Sequence, residues 1–553
     1  MISELQPVII CAVKEEPKWW AGYAWWGVLA VVIAFGFGRS VRSYFVGDDF
    51  AYVGKFVGTS LFSLPRFFVH EWSEGLWGFP LIELRPLAAL SFILDAQLWG
   101  INPTGYHLTN FLLHLACSGL VMLITREVLL DGWLPAAAAG LIFALHPVHI
   151  EPVIWITGRV DTISTSAYLL GIYGLIRFRS NPGWYWLAVC WVGYGAGIFA
   201  KEAALTMPLM ALLCELFYVP RNARWNTARG VAPYLGWGAI ALVYYYCRAV
   251  ALGSSLGVGA IQYGTLAFWQ GAAQRQLYYL GLLFWPAQRA FAFAAGERGR
   301  ALSIWLGLLG IVITTSILWL ARDRHRSIRE PRVAFFFGGV WFLVATLPLM
   351  LTYPSARHLY LASAGISVAL SAVFTRLLAR RFAFAAVMAV LVIACGWQLR
   401  IAEGPWRGGA KLSKQISVAI EQVSGRASTG DLLLLDVPER NESAFIWAWA
   451  SPFALRSPFQ QRDLTQDFVV LERQPVYFHP DSWAEHPSFA RMRKDVAAAW
   501  IVSAMPQGLP GNVQVIFIAP ERVASVLAQP DLNLGATGSF DRLIAGLTDK
   551  KQQ

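Results

Sequence analysis

Charge is scarce in this chain. Only 14% of its 553 residues are Asp, Glu, Lys or Arg, while 56% are apolar. Soluble domains carry about a quarter charged residues, so an ordinary water-soluble enzyme is excluded. Cysteine is scarce too. The six present (Cys11, Cys117, Cys190, Cys214, Cys247 and Cys395) lie in or near apolar runs, and no pair has metal-ligand spacing. Neither a disulfide framework nor a zinc–cysteine site is expected. The polar C-terminal stretch holds no cysteine and no glycine loop suited to cradling phosphate. No internal repeat and no low-complexity tract occurs, so a solenoid is not expected.

What the chain has in abundance is apolar sequence. Mean hydropathy is +0.48, and apolar runs of roughly 20 residues recur, the length needed to cross a bilayer. The 25 Trp and 19 Tyr gather near the ends of those runs, as interfacial aromatic belts do. A net charge of +11 and a pI near 9.4 can signal nucleic-acid binding. Here the arginines cluster in short loops between runs and read as topology signals, so no nucleic-acid partner is expected. The first run follows a mixed-charge segment without a small-residue cleavage site and reads as an uncleaved anchor.

About 11 spans are expected, near 19–39, 105–126, 133–150, 161–178, 184–200, 203–219, 231–249, 301–321, 333–352, 359–376 and 382–400. Four arginine-bearing loops set the orientation: Arg177 and Arg179; Arg221, Arg224 and Arg229; Arg322 to Arg332; and Arg376 to Arg381. Placing all four inside lets the other loops alternate outward. The turn at 127–132 carries no such signal. The segment 44–104 becomes a long outer loop whose apolar pieces, 61–69 and 86–99, are too short to span and are expected to lie in the interface. A second outer segment, 250–300, contains "QLYYLGLLFWP", expected to be interfacial or re-entrant. Beyond residue 402 the composition changes. "DLLLLDV", "FVVLE" and "VQVIFIAP" read as strands and "SFARMRKDVAAAWIV" as a helix. Two domains are thus expected: 1–402 in the membrane and 403–553 a small outer α/β domain.

Sorted by side, the ionisable residues are uneven. The outer ends of the runs collect Asp48 and Asp49 in "VGDDFAYV", Arg85 in "LRPL", and His146, His149, Glu151, Arg159 and Asp161 in "HPVHIEPVIWITGRVD". Lys201 and Glu202 follow in "AKEAALTMP", then Arg248 in "YYYCRAV", and Arg357 and His358 in "YPSARHLYL". Single basic residues at span ends often merely snorkel to headgroup water. A concentration on one side points to a cavity or substrate path. Carboxylates there can act as general base on an acceptor hydroxyl. Arginines and a lysine can hold a phosphate and stabilise its charge as it leaves. Two adjacent carboxylates repel, which raises one pKa toward a useful range.

The segments "LRPL", "GYHLTNFLLH", "FALHPVHIEPVIWITGRVD", "AKEAALTMP" and "ARHLYLASAG", in this order, resemble the transmembrane-and-tetratricopeptide O-mannosyltransferases and their bacterial relatives. That group lies within the GT-C class of membrane glycosyltransferases, which use polyprenyl-phosphate-linked sugars. The spacing Asp48-Asp49-x-x-Tyr52 is similar to the Asp-Glu-x-x-aromatic pattern of protein O-mannosyltransferases and lipid A aminoarabinose transferases, with Asp in place of Glu. The resemblance covers roughly residues 40–402. It implies a GT-C fold and inverting sugar transfer with Asp48 as base and Asp49 as the second choice. It places Arg357 on the donor phosphate, with Arg248, Lys201 and Arg159 as further phosphate candidates. Arg85, His146, His149, Glu151, Asp161, Glu202 and His358 are expected to line the substrate cavity. The C-terminus departs from the group: an α/β-like unit stands where helical repeats are usual, so the acceptor does not carry over.

The His146-x-x-His149-x-Glu151 set can hold a divalent metal, but Pro147 and Pro152 argue against a regular helix there. Hydrogen bonds to phosphate or sugar, or the fixing of an irregular turn, are the alternative roles. No cofactor is expected, with Mg or Mn the alternative. His107 and His114 are expected to be packed and hydrogen-bonded, and Glu202 to pair with its neighbour Lys201. The expected partners are a polyprenyl-phosphate sugar, a hydroxyl acceptor (protein, lipid or polysaccharide) and membrane lipids. The expected setting is a prokaryotic cytoplasmic membrane with the site facing outward. Rival readings are a transferase or ligase for a pyrophosphate-linked glycan, a lipid-sugar transporter, and a non-catalytic assembly protein. A transporter calls for polar residues through the midplane and repeated halves, and the sequence has neither.

Overall fold

Nineteen residues without a charged side chain, Trp19–Phe37, form the first helix (α1) of the computed structural model. A helix with no polar face needs an apolar environment all round. The structure describes residues 19–77, 81–129, 132–218, 228–253, 266–284, 305, 308, 331–351, 355–377 and 381–424, and, towards the C-terminus, 432–436, 440–441, 444–447, 450–467, 469–472, 501–502 and 514–518. Among the described residues, five helices are long and apolar enough to cross a membrane: Gly22–Ser40, Pro103–Leu129, Arg229–Leu252, Ala356–Phe374 and Phe382–Gln422. The pair Trp133–Leu145 and Pro147–Ile154, bent by 49°, makes a sixth if it is one span. Pro86–Trp99, Trp184–Ala200, Glu202–Leu213 and Phe337–Leu349 are shorter apolar helices. The chain is a multi-pass helical membrane protein. The expected span at 301–321 lies outside the described residues except for Trp305 and Leu308, as do most of the loop arginines from Arg221 to Arg332.

The expected span 133–150 is broken, and a second break falls between the expected spans 184–200 and 203–219. The helix Trp133–Leu145 (α5) stops because Pro147 offers no N–H. His146 then takes φ −62°, ψ 120°, the region preferred before proline. A 3-10 turn (Pro147–His149) leads into the short helix α6 (Ile150–Ile154). Between Trp184–Ala200 (α8) and the 3-10 turn Glu202–Thr206, Lys201 is extended at φ −160°, ψ 138°. Both breaks fall on the polar segments singled out above.

Small residues let the helices close on one another. The helix Arg159–Ser180 (α7) packs on α8 so tightly that a Cβ on Gly193 would lie 2.4 Å from the Gly171 amide nitrogen. Close approach of backbones through small residues is how helices associate in lipid. The far end of α7 is about 33 Å from its start, at 1.5 Å per residue. There Arg177 pairs with Glu127 at 3.0 Å. Arg179 pairs with buried Glu215 and donates to the carbonyls of Arg229 (3.0 Å) and Gly230 (2.7 Å). The arginines that marked one side are therefore bound to their own side's helix ends.

The last long helix, Arg381–Ser424, runs 44 residues without a break. The boundary expected at residue 402 falls inside it. Its second half buries Trp406, Ala410, Ile416 and Ile420. Beyond it lies a four-stranded sheet, in the order Val469–Glu472, Leu432–Asp436, Gln514–Ile518, Ile501–Val502. The first pair is parallel and the other two antiparallel. Three of the four strands coincide with the three strand-like segments of the sequence. The fourth, Ile501–Val502, ends the segment "SFARMRKDVAAAWIV", expected to be a helix, and the rest of that segment lies outside the described residues. Residues 444–467 leave the sheet and pack on the helix that follows the acidic pair, Asp49–Phe56 (α2). Phe459 lies 4.9 Å from Phe50 and 5.4 Å from Phe45, ring centre to ring centre. The Gly47 amide donates to the Ile446 carbonyl at 2.8 Å.

Candidate active site

The acidic pair sits at a turn that few residues could make. Gly47 lies in the left-handed region (φ +52°), and a Cβ there would stand 3.3 Å from the Phe445 side chain. Glycine meets both demands. The chain then enters α2, with Asp48 at its N-cap position but making no side-chain capping bond. Asp49 is 1% exposed. One of its carboxylate oxygens accepts from the Thr157 amide (2.9 Å) and the Thr157 hydroxyl (2.8 Å). The other accepts from the Val46 amide at 3.1 Å. Burial pushes the Asp49 pKa up to about 7, against the pull of those three donors and of Arg159. Asp48 is only half-buried.

One turn along α2, Tyr52 is buried and stacked on Trp72, with ring centres 3.8 Å apart. Burial and the charges of Glu83 and Asp48 raise its pKa well above the ordinary value, opposed by the Trp77 hydrogen bond and by Arg85. Tyr52 therefore feels the charges of Asp48, Glu83 and Arg85 together. Arg85 pairs with Glu83 at 2.8 Å and with Glu202 at 3.5 Å. Burial works against its charge, and Glu83 and Glu202 outweigh burial, so its pKa is raised. Glu202 also meets Arg248, at 3.5 Å, and Arg248 donates to the Ile82 carbonyl at 3.2 Å. Lys201 is bonded to Asp161. Burial lowers the Lys201 pKa, as do the nearby charges of Arg357 and Arg85, while Asp161 opposes them. Arg357 stands 3.9 Å from Glu151 and lies over the Trp155 ring at 5.1 Å.

Arg85, Lys201, Arg248 and Arg357 thus converge from four separate segments, interleaved with Glu83, Glu151, Asp161 and Glu202. The contacts of Arg357 with Glu151, and of Glu202 with Arg85 and Arg248, are 3.5 Å or longer, past a normal hydrogen bond. Loose pairs of this kind exchange readily for a phosphate, which matches guanidinium geometry with two oxygens. His358 is half-buried next to Arg357 on the same 3-10 turn, Ala356–His358.

Three expectations are corrected. Arg159 is fully buried and turned away from this group. It pairs with Asp95 and donates to the Ser91 hydroxyl (3.1 Å) and the Tyr106 carbonyl (2.9 Å), between the rings of Phe92 and Tyr106. A phosphate cannot reach it. Glu202 does not pair with Lys201, because the extended backbone at Lys201 sends neighbouring side chains to opposite sides. His146 is spent on its own turn: Nδ1 accepts from the Val148 amide (3.3 Å) and Nε2 donates to the Leu283 carbonyl (3.0 Å). His149 bonds the Ser363 hydroxyl at 2.7 Å through Nε2. That hydroxyl donates to the Tyr360 carbonyl, so it accepts from His149. Both histidines are buried and bonded to protein groups, and Glu151 of that set joins the cations. Among the described residues, no three His, Cys, Asp or Glu side chains are grouped so as to hold a metal ion. His107 bonds the Ser43 carbonyl (3.1 Å) and His114 the Tyr360 hydroxyl (2.6 Å).

Thr157, Glu83 and Asn110 were not singled out from the sequence. Glu83 and Thr157 each lay within two residues of a segment boundary already marked by Arg85 or Arg159. Asn110 had no signal beyond being an amide inside an apolar helix.

No protein-family model matches the chain. In sequence it is similar to protein O-mannosyl-transferases. It is 30% identical over 281 residues to Tmtc1 of Drosophila melanogaster, covering 44% of this chain and 32% of that protein. It is 36% identical over 165 residues to Tmtc2 of the same fly, covering 28% and 17%. It is 30% identical over 207 residues to human TMTC2, covering 35% and 25%. The matched stretch spans about a third or less of the length of these relatives. Among solved structures it aligns with ArnT from Cupriavidus metallidurans in the apo state, at 15% identity and a TM-score of 0.37, covering 92% of this chain and 100% of that one. The same protein bound to undecaprenyl phosphate aligns at 14% identity and a TM-score of 0.36, covering 92% and 99%.

Proposed function

We propose that this chain is a membrane-embedded inverting glycosyltransferase of GT-C type. It moves a sugar from a polyprenyl-phosphate donor to a hydroxyl acceptor at the outer face of a membrane. The observation that supports this most is the unequal fate of the two adjacent acids. Asp49 is buried and accepts three hydrogen bonds from protein, whereas Asp48 is half-buried and makes no capping bond. The sequence similarity to protein O-mannosyl-transferases agrees with the reaction class.

In this reading Asp48 takes the proton of the acceptor hydroxyl as general base. The acceptor oxygen forms a bond to the anomeric carbon as the bond from that carbon to the phosphate oxygen breaks. The electron pair leaves with polyprenyl phosphate, whose charge rises by one. Arg357, Arg248 and Arg85 receive that charge by giving up their loose contacts with Glu151 and Glu202, and Lys201 adds its charge while bonded to Asp161. A single displacement inverts the anomeric centre. Residues 444–467, packed against α2, border the acceptor side. The membrane is proposed to be the cytoplasmic membrane of a prokaryote, with the site facing outward.

The test compares lipid extracts and outer-face glycans, by mass spectrometry, from cells carrying wild type or Asp48→Asn at matched protein levels. The expected result is accumulation of one polyprenyl-phosphate sugar and loss of one sugar modification in the variant. Identical profiles, while deletion of the protein changes them, would remove Asp48 as the base.

A further inference from the structure

Thr157 carries no charge, yet it supplies two of the three hydrogen bonds on Asp49. It sits in the turn between α6 and α7. That turn is held from its other side by Asn110, whose amide donates to the carbonyls of Val153 (3.2 Å) and Trp155 (3.0 Å). Beside Thr157 there is no slack, since a Cβ on Gly158 would lie 2.8 Å from the Glu151 carbonyl oxygen. The turn is therefore a fixed reference. Before it come Glu151 and Trp155, both of which contact Arg357. After it comes Asp161, which holds Lys201. Asp49 fastens α2 to the same turn, and Asp48 is the adjacent residue.

We propose that Thr157 and Asp49 form a positioning pair, which fixes the Asp48 carboxylate relative to Arg357 and Lys201. This rests on, and deepens, the glycosyl-transfer reading. Neither residue touches a reacting atom: both Asp49 oxygens point into protein, and the Thr157 hydroxyl points at Asp49. What the pair supplies is geometry, and a misplacement of about 1 Å can cost about a hundredfold in rate. Valine has nearly the shape of threonine but lacks the hydroxyl donor. In Thr157→Val the amide bond to Asp49 remains and the hydroxyl bond is lost. Thr157→Ser keeps both.

Two readouts on the full-length protein in lipid nanodiscs test this. Hydrogen exchange of residues 46–53 reads the fastening itself, whatever the reaction. It is expected to quicken in Thr157→Val and to stay at the wild-type level in Thr157→Ser. Unchanged exchange in Thr157→Val overturns the proposal even if no transfer is ever measured. Steady-state transfer, using the donor lipid that accumulates in Asp48→Asn cells, reads the consequence. Thr157→Val is expected to lower kcat by about ten- to a hundredfold with donor KM unchanged, and Thr157→Ser to restore it. A raised KM at wild-type kcat would make Thr157 a substrate contact and sink the proposal. Transfer that survives Asp48→Asn would instead count against Asp48 as base, leaving the exchange result to judge the pair.

Discussion

One peptide bond separates a buried carboxylate from a half-buried one, and the roles proposed for them rest on that difference. Asp49 is buried and accepts three hydrogen bonds from protein groups. Asp48 keeps its side chain out of the helix cap. The sequence marked the pair but could not rank its members structurally, since their partners lie in a turn more than a hundred residues away. Asp49 also makes a pH-dependent contribution. Burial raises its folded pKa to about 7, above the ordinary carboxylate value of 3.8. The folded state therefore binds this proton more tightly than the unfolded state does. The resulting stability is full below about pH 4 and is lost as pH rises through about 7. Asp49→Asn removes the titration. The Tm of wild type minus that of Asp49→Asn, measured in nanodiscs, should be larger at pH 5 than at pH 8. An equal gap at both values would refute the assignment.

At the scale of elements, chain breaks place the site. Pro147 and Lys201 interrupt two apolar runs, and each interruption brings polar side chains to the same end of the bundle. That much was legible, because prolines and paired charges stand out against apolar sequence. The fate of Arg159 was not. Its partner Asp95 lies 64 residues away in an apolar helix read as interfacial, and no local spacing encodes that pairing. With Ser91 and the Tyr106 carbonyl, it joins the helices Pro86–Trp99, Pro103–Leu129 and Arg159–Ser180. Removing one member of a buried pair strands the other, at a cost of about 3–5 kcal/mol. Arg159→Ala should therefore lower Tm sharply, with donor KM unchanged in the protein that remains folded. A raised donor KM at wild-type Tm would return Arg159 to the phosphate site.

At the scale of the whole molecule, low charge and recurring apolar runs announced a multi-pass membrane protein. The continuity of the helix Arg381–Ser424 through residue 402 was hidden, because a drop in hydropathy marks where a helix leaves apolar surroundings and says nothing about where it stops. That helix carries residues 444–467 back onto α2, so the C-terminal part borders the acidic pair directly. The central claim is that residues from distant segments assemble one site, in which Asp48 activates the acceptor and the cations receive the leaving phosphate. Its most direct measurement is polyprenyl phosphate released per enzyme by purified full-length protein. Wild type, Asp48→Asn and Asp49→Asn would each be supplied with the donor lipid and an acceptor hydroxyl. The expected result is release by wild type, partial release by Asp49→Asn and none by Asp48→Asn, although all three bind the donor. Release by Asp48→Asn at the wild-type rate, with Asp49→Asn silent, would contradict it.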